Sequence, residues 1–408
     1  MSPRTSLHGD VIARIAAYNR GRDAALVRRK YKAMANNPFA FYRGTAHLFY
    51  EDLGRRALPR SPAIWGCGDA HLENFGTFKA DNGLTYFDLN DFDEAALLPL
   101  AWDLARMVTS IVVAGAAQGV SRRERRALVR AFLSTYASSL KEGRALWIER
   151  ATAPGPIRTL LRRARNRTSD ELLQRRTERR GGRLRLRCDG KRVHRLAPER
   201  RQQVLRLVRA GGNARGPVSL EPIDAGIRVA GLASLGLARF IVLARTRTRP
   251  RDYVLLDIKE ARRSAAAVRS PLRQPRWKNE AGRIITLQHR IQAASPSLLA
   301  PVRAETGEWL VMRALQPTED RLDVASIAQS RRTFASVLET MAQIMAWSHL
   351  RGAAREGSAN VAELTRFAAR PRRWTRNIER FAFRYGARVE QDARTFAKAW
   401  KKGFDAGD

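Results

Sequence analysis

The residues able to do chemistry in this chain crowd into one short stretch. Gly68-Asp69-Ala70-His71-Leu72-Glu73-Asn74 is followed, after a turn at Asp81-Asn82-Gly83, by Asp88, Asn90, Asp91, Asp93 and Glu94. Acids packed this closely repel one another unless solvent or a cation neutralises them. Asp69 and Asn74 stand five apart, and Asp91 lies seventeen beyond Asn74. An Asp, an Asn five residues on and a further Asp after a short hairpin is the spacing of a phosphotransferase catalytic loop. In that chemistry Asp69 takes the proton of an attacking hydroxyl, Asn74 and Asp91 ligate magnesium, and Asp93 is a secondary ligand. His71 reads as a hydrogen-bonding brace of the catalytic loop.

A second constellation lies far downstream: Gly231-Leu232-Ala233-Ser234-Leu235-Gly236, an apolar run, then Ile258-Lys259. A turn holding Gly231, Ser234 and Gly236 lets backbone approach phosphates, and a lysine on the next strand neutralises them. The two constellations together imply ATP and Mg2+, with a hydroxyl on a small molecule or protein as acceptor. Lys259 and Asp91 must then lie within roughly 10 Å across one cleft, because both reach one triphosphate. Nucleotidyl transfer (AMPylation) would use the same cradle. A metal-dependent phosphohydrolase built on Asp69, His71, Asp88 and Asp91 leaves Lys259 unexplained. A non-catalytic nucleic-acid-binding protein leaves the acidic hairpin unexplained.

Positioning these groups falls to a helical and a β portion. Residues 8–60 and 100–136 carry apolar residues at helical spacing, and Asn82-Gly83 between short apolar runs predicts a hairpin. Residues 226–261 are the clearest β region, with runs at 240–244 and 253–258 split by a basic turn containing Pro250; 280–293 reads as helix, 308–315 as strand, and 326–350 and 361–404 as helix. Net charge is +37 over 408 residues, so non-specific polyanion contact is expected. Residues 141–216 hold 23 Lys+Arg against 7 Asp+Glu and read as a solvated, partly helical insertion, with nucleic-acid contact the less favoured role because aromatic residues for base stacking are nearly absent. Cys67 and Cys188 cannot form a disulfide framework, the first twenty residues hold no signal-type apolar core, and the apolar run 107–117 is too short to span a bilayer. A cytoplasmic protein with no membrane contact is expected.

The stretches FAFYRGTA, CGDAHLENFG, FDLNDFDEAALLPLAWDLARM, GLASLGLARFIVL, IKEA and AWSHLRG resemble the uncharacterised bacterial DUF2252 family across nearly the whole chain. That family is similar to aminoglycoside and choline kinase-type enzymes, whose catalytic loop is also Gly-Asp-x-His-x-x-Asn. The resemblance implies an α+β, bilobal protein-kinase-like fold. Here the glycine turn and lysine follow the catalytic loop, which implies a circular permutation: a catalytic core at 1–140, the basic insertion at 141–216, a β unit at 217–320, and C-terminal helices at 321–408 packing on the core. Ala233 replaces the middle glycine of the family's turn, and Thr286 stands where the family has Glu. The carboxylate partner of Lys259 is then Glu280, Glu260 or absent, and its absence would imply a weak enzyme or a pseudokinase.

Overall fold

A computed structural model describes residues 10–54, 57–166, 169–212, 220–246, 253–315 and 323–404. The chain mixes helices and strands around two main cores. Helices Val11–Asn19, Ala24–Asn36, Pro38–Gly44 and Ala46–Asp52 come first. Asp10, Asp23 and Asn37 cap the first three through side-chain bonds to Ile12 N, Leu26 N and Phe39 N, which is why each helix starts where it does. Then come β1 (Ala63–Gly66), β2 (Phe75–Lys79), β3 (Thr85–Leu89) and β4 (Ala96–Pro99). β2 and β3 form the expected hairpin, turning at Gly83 with φ +79°, and β1 pairs antiparallel with β4.

Helix Leu100–Ala117 is long and apolar enough to cross a membrane, yet it is almost wholly buried as the central rod of the larger core. Arg122–Lys141 and Thr375–Lys401 pack against it and Arg331–Arg351 packs on Arg122–Lys141, so the C-terminal helices complete the core begun by the N-terminal residues. The apolar run 107–117 is the later part of this helix, which starts at Leu100 within the stretch expected to be helical and carries Asp103 and Arg106 as buried, partnered side chains.

The second core is a sheet. The short strands β5 (Thr177–Arg180) and β6 (Arg183–Leu186) pair with each other; β7 (Val193–Arg195), β8 (Leu220–Arg228), β9 (Arg239–Thr246), β10 (Tyr253–Glu260), β11 (Ala300–Arg303) and β12 (Trp309–Ala314) form an antiparallel sheet in the order β11-β12-β10-β9-β8-β7. Helix Glu280–Ile291 connects β10 to β11. Alternation along β10 sends Leu256 and Ile258 to one face, where Val204 and Val208 of helix Pro198–Gly212 cover them. Asp257 and Lys259 go to the other.

The 141–216 stretch is partly helical, as expected, and most of its described residues are exposed or half-buried, but a few of them reach both cores. Ile148, Ala153, Ile157 and Leu161 belong to the helical core, β7 is the edge strand of the sheet, and Pro198–Gly212 roofs its far face. The apolar residues are few; Leu146 and Trp147 stay half exposed, and the others named here reach a core. The basic turn with Pro250, and the boundaries at 216 and 320, lie outside the described residues.

Candidate active site

The 68–74 loop is held from beneath by a buried relay. Asp103, in the first turn of Leu100–Ala117, accepts the Gly68 amide at 3.0 Å and lies 3.2 Å from His349 Nε2, while His349 Nδ1 lies 2.7 Å from the Tyr136 hydroxyl. Placing the His349 proton on Nε2 satisfies both contacts. Gly68 has φ +74°, and a Cβ there would lie 2.0 Å from the Glu94 carbonyl oxygen, so only glycine fits. This close approach brings the loop against the acidic segment.

Asp69 is tethered on one oxygen. Arg106, wholly buried and stacked 3.7 Å from the Tyr42 ring, donates to Asp69 Oδ1 from Nε at 3.0 Å and Nη2 at 2.8 Å. Oδ2 is 3.8 Å from His71 Nε2. Burial pushes the Asp69 carboxyl above the usual aspartate range in spite of Arg106. Asn74 is a staple: its Nδ2 donates to the Asp69 and Asp91 carbonyls at 3.0 and 3.1 Å, and its Oδ1 accepts from Asn90 N and Asp91 N at 3.3 and 2.8 Å. Both lone pairs of that oxygen are engaged, so in this geometry Asn74 braces the loop against the acidic segment.

Lys259 crosses from the sheet to the hairpin. Its Nζ lies 3.6 Å from Asp91 Oδ2 and bonds Asp93 more closely still. The Lys259–Asp91 apposition is well inside the expected span. Burial raises the Asp91 carboxyl, but Lys259, Arg313 and Arg239 together bring it below the ordinary value; burial and Asp91 itself raise that of Asp93.

The assignment of Glu280 is corrected here. Glu280 pairs with Arg283 at 2.6 Å, Glu260 pairs with Arg262, and the carboxylates on Lys259 are Asp91 and Asp93. The physical reason is position: Gln288, not Glu280, lines the cleft, and the two are eight residues, about 12 Å, apart on the helix. That helix grips the acidic segment through Arg283, which donates to the Ala95 and Asp93 carbonyls at 2.6 and 2.7 Å. Asp88 is also separated from the site, its carboxylate bound to Ala293 N at 2.9 Å and Arg351 at 3.2 Å in the interior. That removes one acid from the phosphohydrolase constellation.

The glycine turn docks on the helical base. Gly231 and Gly236 have φ +76° and +89°; Arg22 and the buried Lys30 donate to the Ala233 carbonyl at 2.9 and 3.3 Å, and Asp23 N donates to the Gly236 carbonyl at 2.9 Å. Between turn, sheet and hairpin lies a cavity of about 300 Å³, lined by Asp69, His71, Asn74, Asp91, Gly231, Ser234 and Lys259. It thus gathers residues of both sequence constellations; Asp88 lies apart, Gly236 is used in docking, and Asp93 and Glu94 lie with Asp69, Asp91 and Ser234 on a smaller neighbouring cavity that also holds Tyr18 and Arg22.

Residues missed by sequence reasoning line the same space: Arg228, Arg239, Asp257 and Arg313 from the sheet, and Arg176 and Arg192 from the basic stretch. Asp257 takes Arg239 bidentately at 2.8 and 2.6 Å and Arg228 at 2.6 Å, with Arg313 at 3.7 Å. One signal was available, an acid two residues before Lys259 inside an apolar strand. Arg43, at the rim, pairs with Glu73 at 2.6 Å.

A family model described as an uncharacterised protein conserved in bacteria, DUF2252, matches residues 22–399. The chain belongs to the DUF2252 family. The match spans the 68–74 loop, the acidic hairpin, the glycine turn and Lys259 alike. No curated protein and no solved structure matches the chain.

Among the described residues, no group of three or more His, Cys, Asp or Glu side chains is placed to hold a metal ion by itself. Magnesium is usually held by one or two carboxylates together with substrate phosphates. Asp91, half exposed, and Asp93, one-third exposed, fit that use as a carboxylate pair facing the cleft.

Proposed function

We propose that this DUF2252 protein is an ATP- and magnesium-dependent, kinase-like transferase that moves a phosphorus-bearing group onto an acceptor hydroxyl. The observation that carries this reading is the Lys259–Asp91–Asp93 cluster, which closes the cleft over Asp69. The order of parts supports it: β8, a glycine turn, β9, then β10 bearing Lys259, a helix and two further strands is the arrangement of a kinase small lobe, here downstream of the catalytic loop as in a circular permutation.

In this mechanism Asp69 Oδ2 accepts the acceptor hydroxyl's proton while Arg106 fixes the carboxylate through Oδ1. Lys259 leaves the two aspartates for a phosphate oxygen, and Asp91 and Asp93 are freed to hold magnesium. The metal supplies charge neutralisation of the phosphates. Asn74 keeps the loop and acidic segment in register, and His71 flanks Asp69. The smaller cavity, which reaches Asp69 from the side of Tyr18 and Arg22, is the entry for the acceptor.

The test is thermal unfolding with ATP and magnesium, since a ligand at 100 times its dissociation constant stabilises by about 2.7 kcal/mol. Lys259→Met should abolish the upward shift, with heparin run beside ATP to gauge the effect of net charge. Equal shifts in wild type and variant would contradict the proposal.

A further inference from the structure

The sheet's cleft-facing wall carries more positive charge than it balances. Arg228, Arg239 and Arg313 share the single carboxylate of Asp257, and the side chains of Arg228 and Arg239 are nine-tenths buried. The strand registers place them together: Asp257 faces Arg313 across β12, and Lys259 faces Arg239 across β9, so all share one face with Lys259. Burial, with Arg239 and Arg313 beside it, pulls the Arg228 guanidinium down to about 10 in spite of Asp257. Arg176 and Arg192 add to the positive lining of the same cavity.

An uncharged purine gains little against this wall, because it would strip water from guanidiniums while offering few acceptors in return. Two linked phosphates supply negative charge and an array of oxygens that arginine forks grip bidentately. We propose that the Arg228–Arg239–Arg313 wall binds the β- and γ-phosphates of the nucleotide, so that its terminal phosphates lie against the sheet and its α-phosphate lies at Asp69 and Asp91. The inference rests on the transferase reading above and selects the group transferred. The acceptor oxygen bonds to the α-phosphorus as the bond from that phosphorus to the bridging oxygen breaks. The electron pair leaves with pyrophosphate, which the arginines hold, and the acceptor proton passes to Asp69 Oδ2 and on to solvent. The protein is thus a nucleotidyltransferase, and with water as acceptor it yields AMP and pyrophosphate.

The experiment is calorimetric titration of the full chain with pyrophosphate, adenosine and ATP, free of magnesium at physiological ionic strength, with sulfate as a control for net charge. Arg313→Gln alters the most exposed of the three arginines, and Arg228→Lys keeps the charge without the fork; melting temperatures without ligand confirm that each variant folds. Pyrophosphate should bind, adenosine should not, and each variant should weaken pyrophosphate by about tenfold or more. Unchanged pyrophosphate affinity in both variants overturns the inference; ATP binding lost in Lys259→Met alone would then leave the transferase reading standing. Arginine-dependent pyrophosphate binding without ATP binding would keep the anion wall and sink the transferase reading. Phosphorus NMR of ATP, magnesium and protein supplies the second readout: AMP and pyrophosphate support the orientation, and ADP with phosphate overturns it.

Discussion

Around the 68–74 loop each buried acid has partners of its own: Asp69 has Arg106, Asp88 has Arg351, and Asp103 has the Gly68 amide and His349. In the sheet facing that loop, Asp257 is set against Arg228, Arg239 and Arg313. A balanced set holds side chains in place and asks nothing of a ligand. An unbalanced set is stable only to the extent that its surplus charge is solvated or met by a counter-ion. The difference is what the proposed division of labour rests on, with positioning at the helical base and anion recognition at the sheet.

The comparison breaks most visibly at Asp257. Asp257→Ala leaves three guanidiniums without a carboxylate, and removing one partner of a buried pair costs about 3–5 kcal/mol. Urea unfolding should show that loss, and added pyrophosphate should recover more stability in this variant than in wild type. The pH dependence has a definite sign. Burial raises the Asp257 carboxyl, but Arg228, Arg239 and Arg313 hold it well below its ordinary value. Its folded value is lower than its unfolded one, so its contribution is full above the ordinary aspartate range and is lost as pH falls through the folded value. Acid titration of stability should therefore show a strong-acid component in wild type that Asp257→Ala lacks.

The matched side is sharpened at His349. His349→Ala leaves Tyr136 and Asp103 without their shared partner and should cost about 1–3 kcal/mol in urea unfolding. Pyrophosphate affinity should not move, because the relay does not reach the sheet. Asp91→Asn gives the smallest stability change, under about 1 kcal/mol for a half-exposed ion pair. The same variant should nonetheless lose the magnesium-dependent part of ATP stabilisation, measured by comparing melting shifts with and without chelator.

The hairpin was legible because Asn82-Gly83 has turn chemistry that few other pairs share. The Lys259–Asp91 apposition was legible because Lys259 closes an apolar strand and Asp91 stands seventeen past Asn74, the spacing of a phosphotransferase hairpin. Arg228, Arg239 and Arg313 were not: in a chain with 76 Lys+Arg, a strand arginine carries no mark of its own. Only the strand register shows that three of them face one acid. The few core residues of the basic stretch were not legible for the same reason, since arginines interleave with Val193, Val204 and Val208 in the sequence and blur the period that marks a buried face. Glu280 failed on distance along its helix, a quantity the spacing from Lys259 does not contain.

The account stands on one cleft, with Lys259 as the group that changes partners. A crystal structure with a non-hydrolysable ATP analogue and magnesium tests this most directly. It should show the triphosphate between the sheet and the 68–74 loop, Lys259 Nζ on a phosphate oxygen, and Asp91 and Asp93 on the metal. A nucleotide bound elsewhere, with the Lys259–Asp93 pair intact, would contradict it.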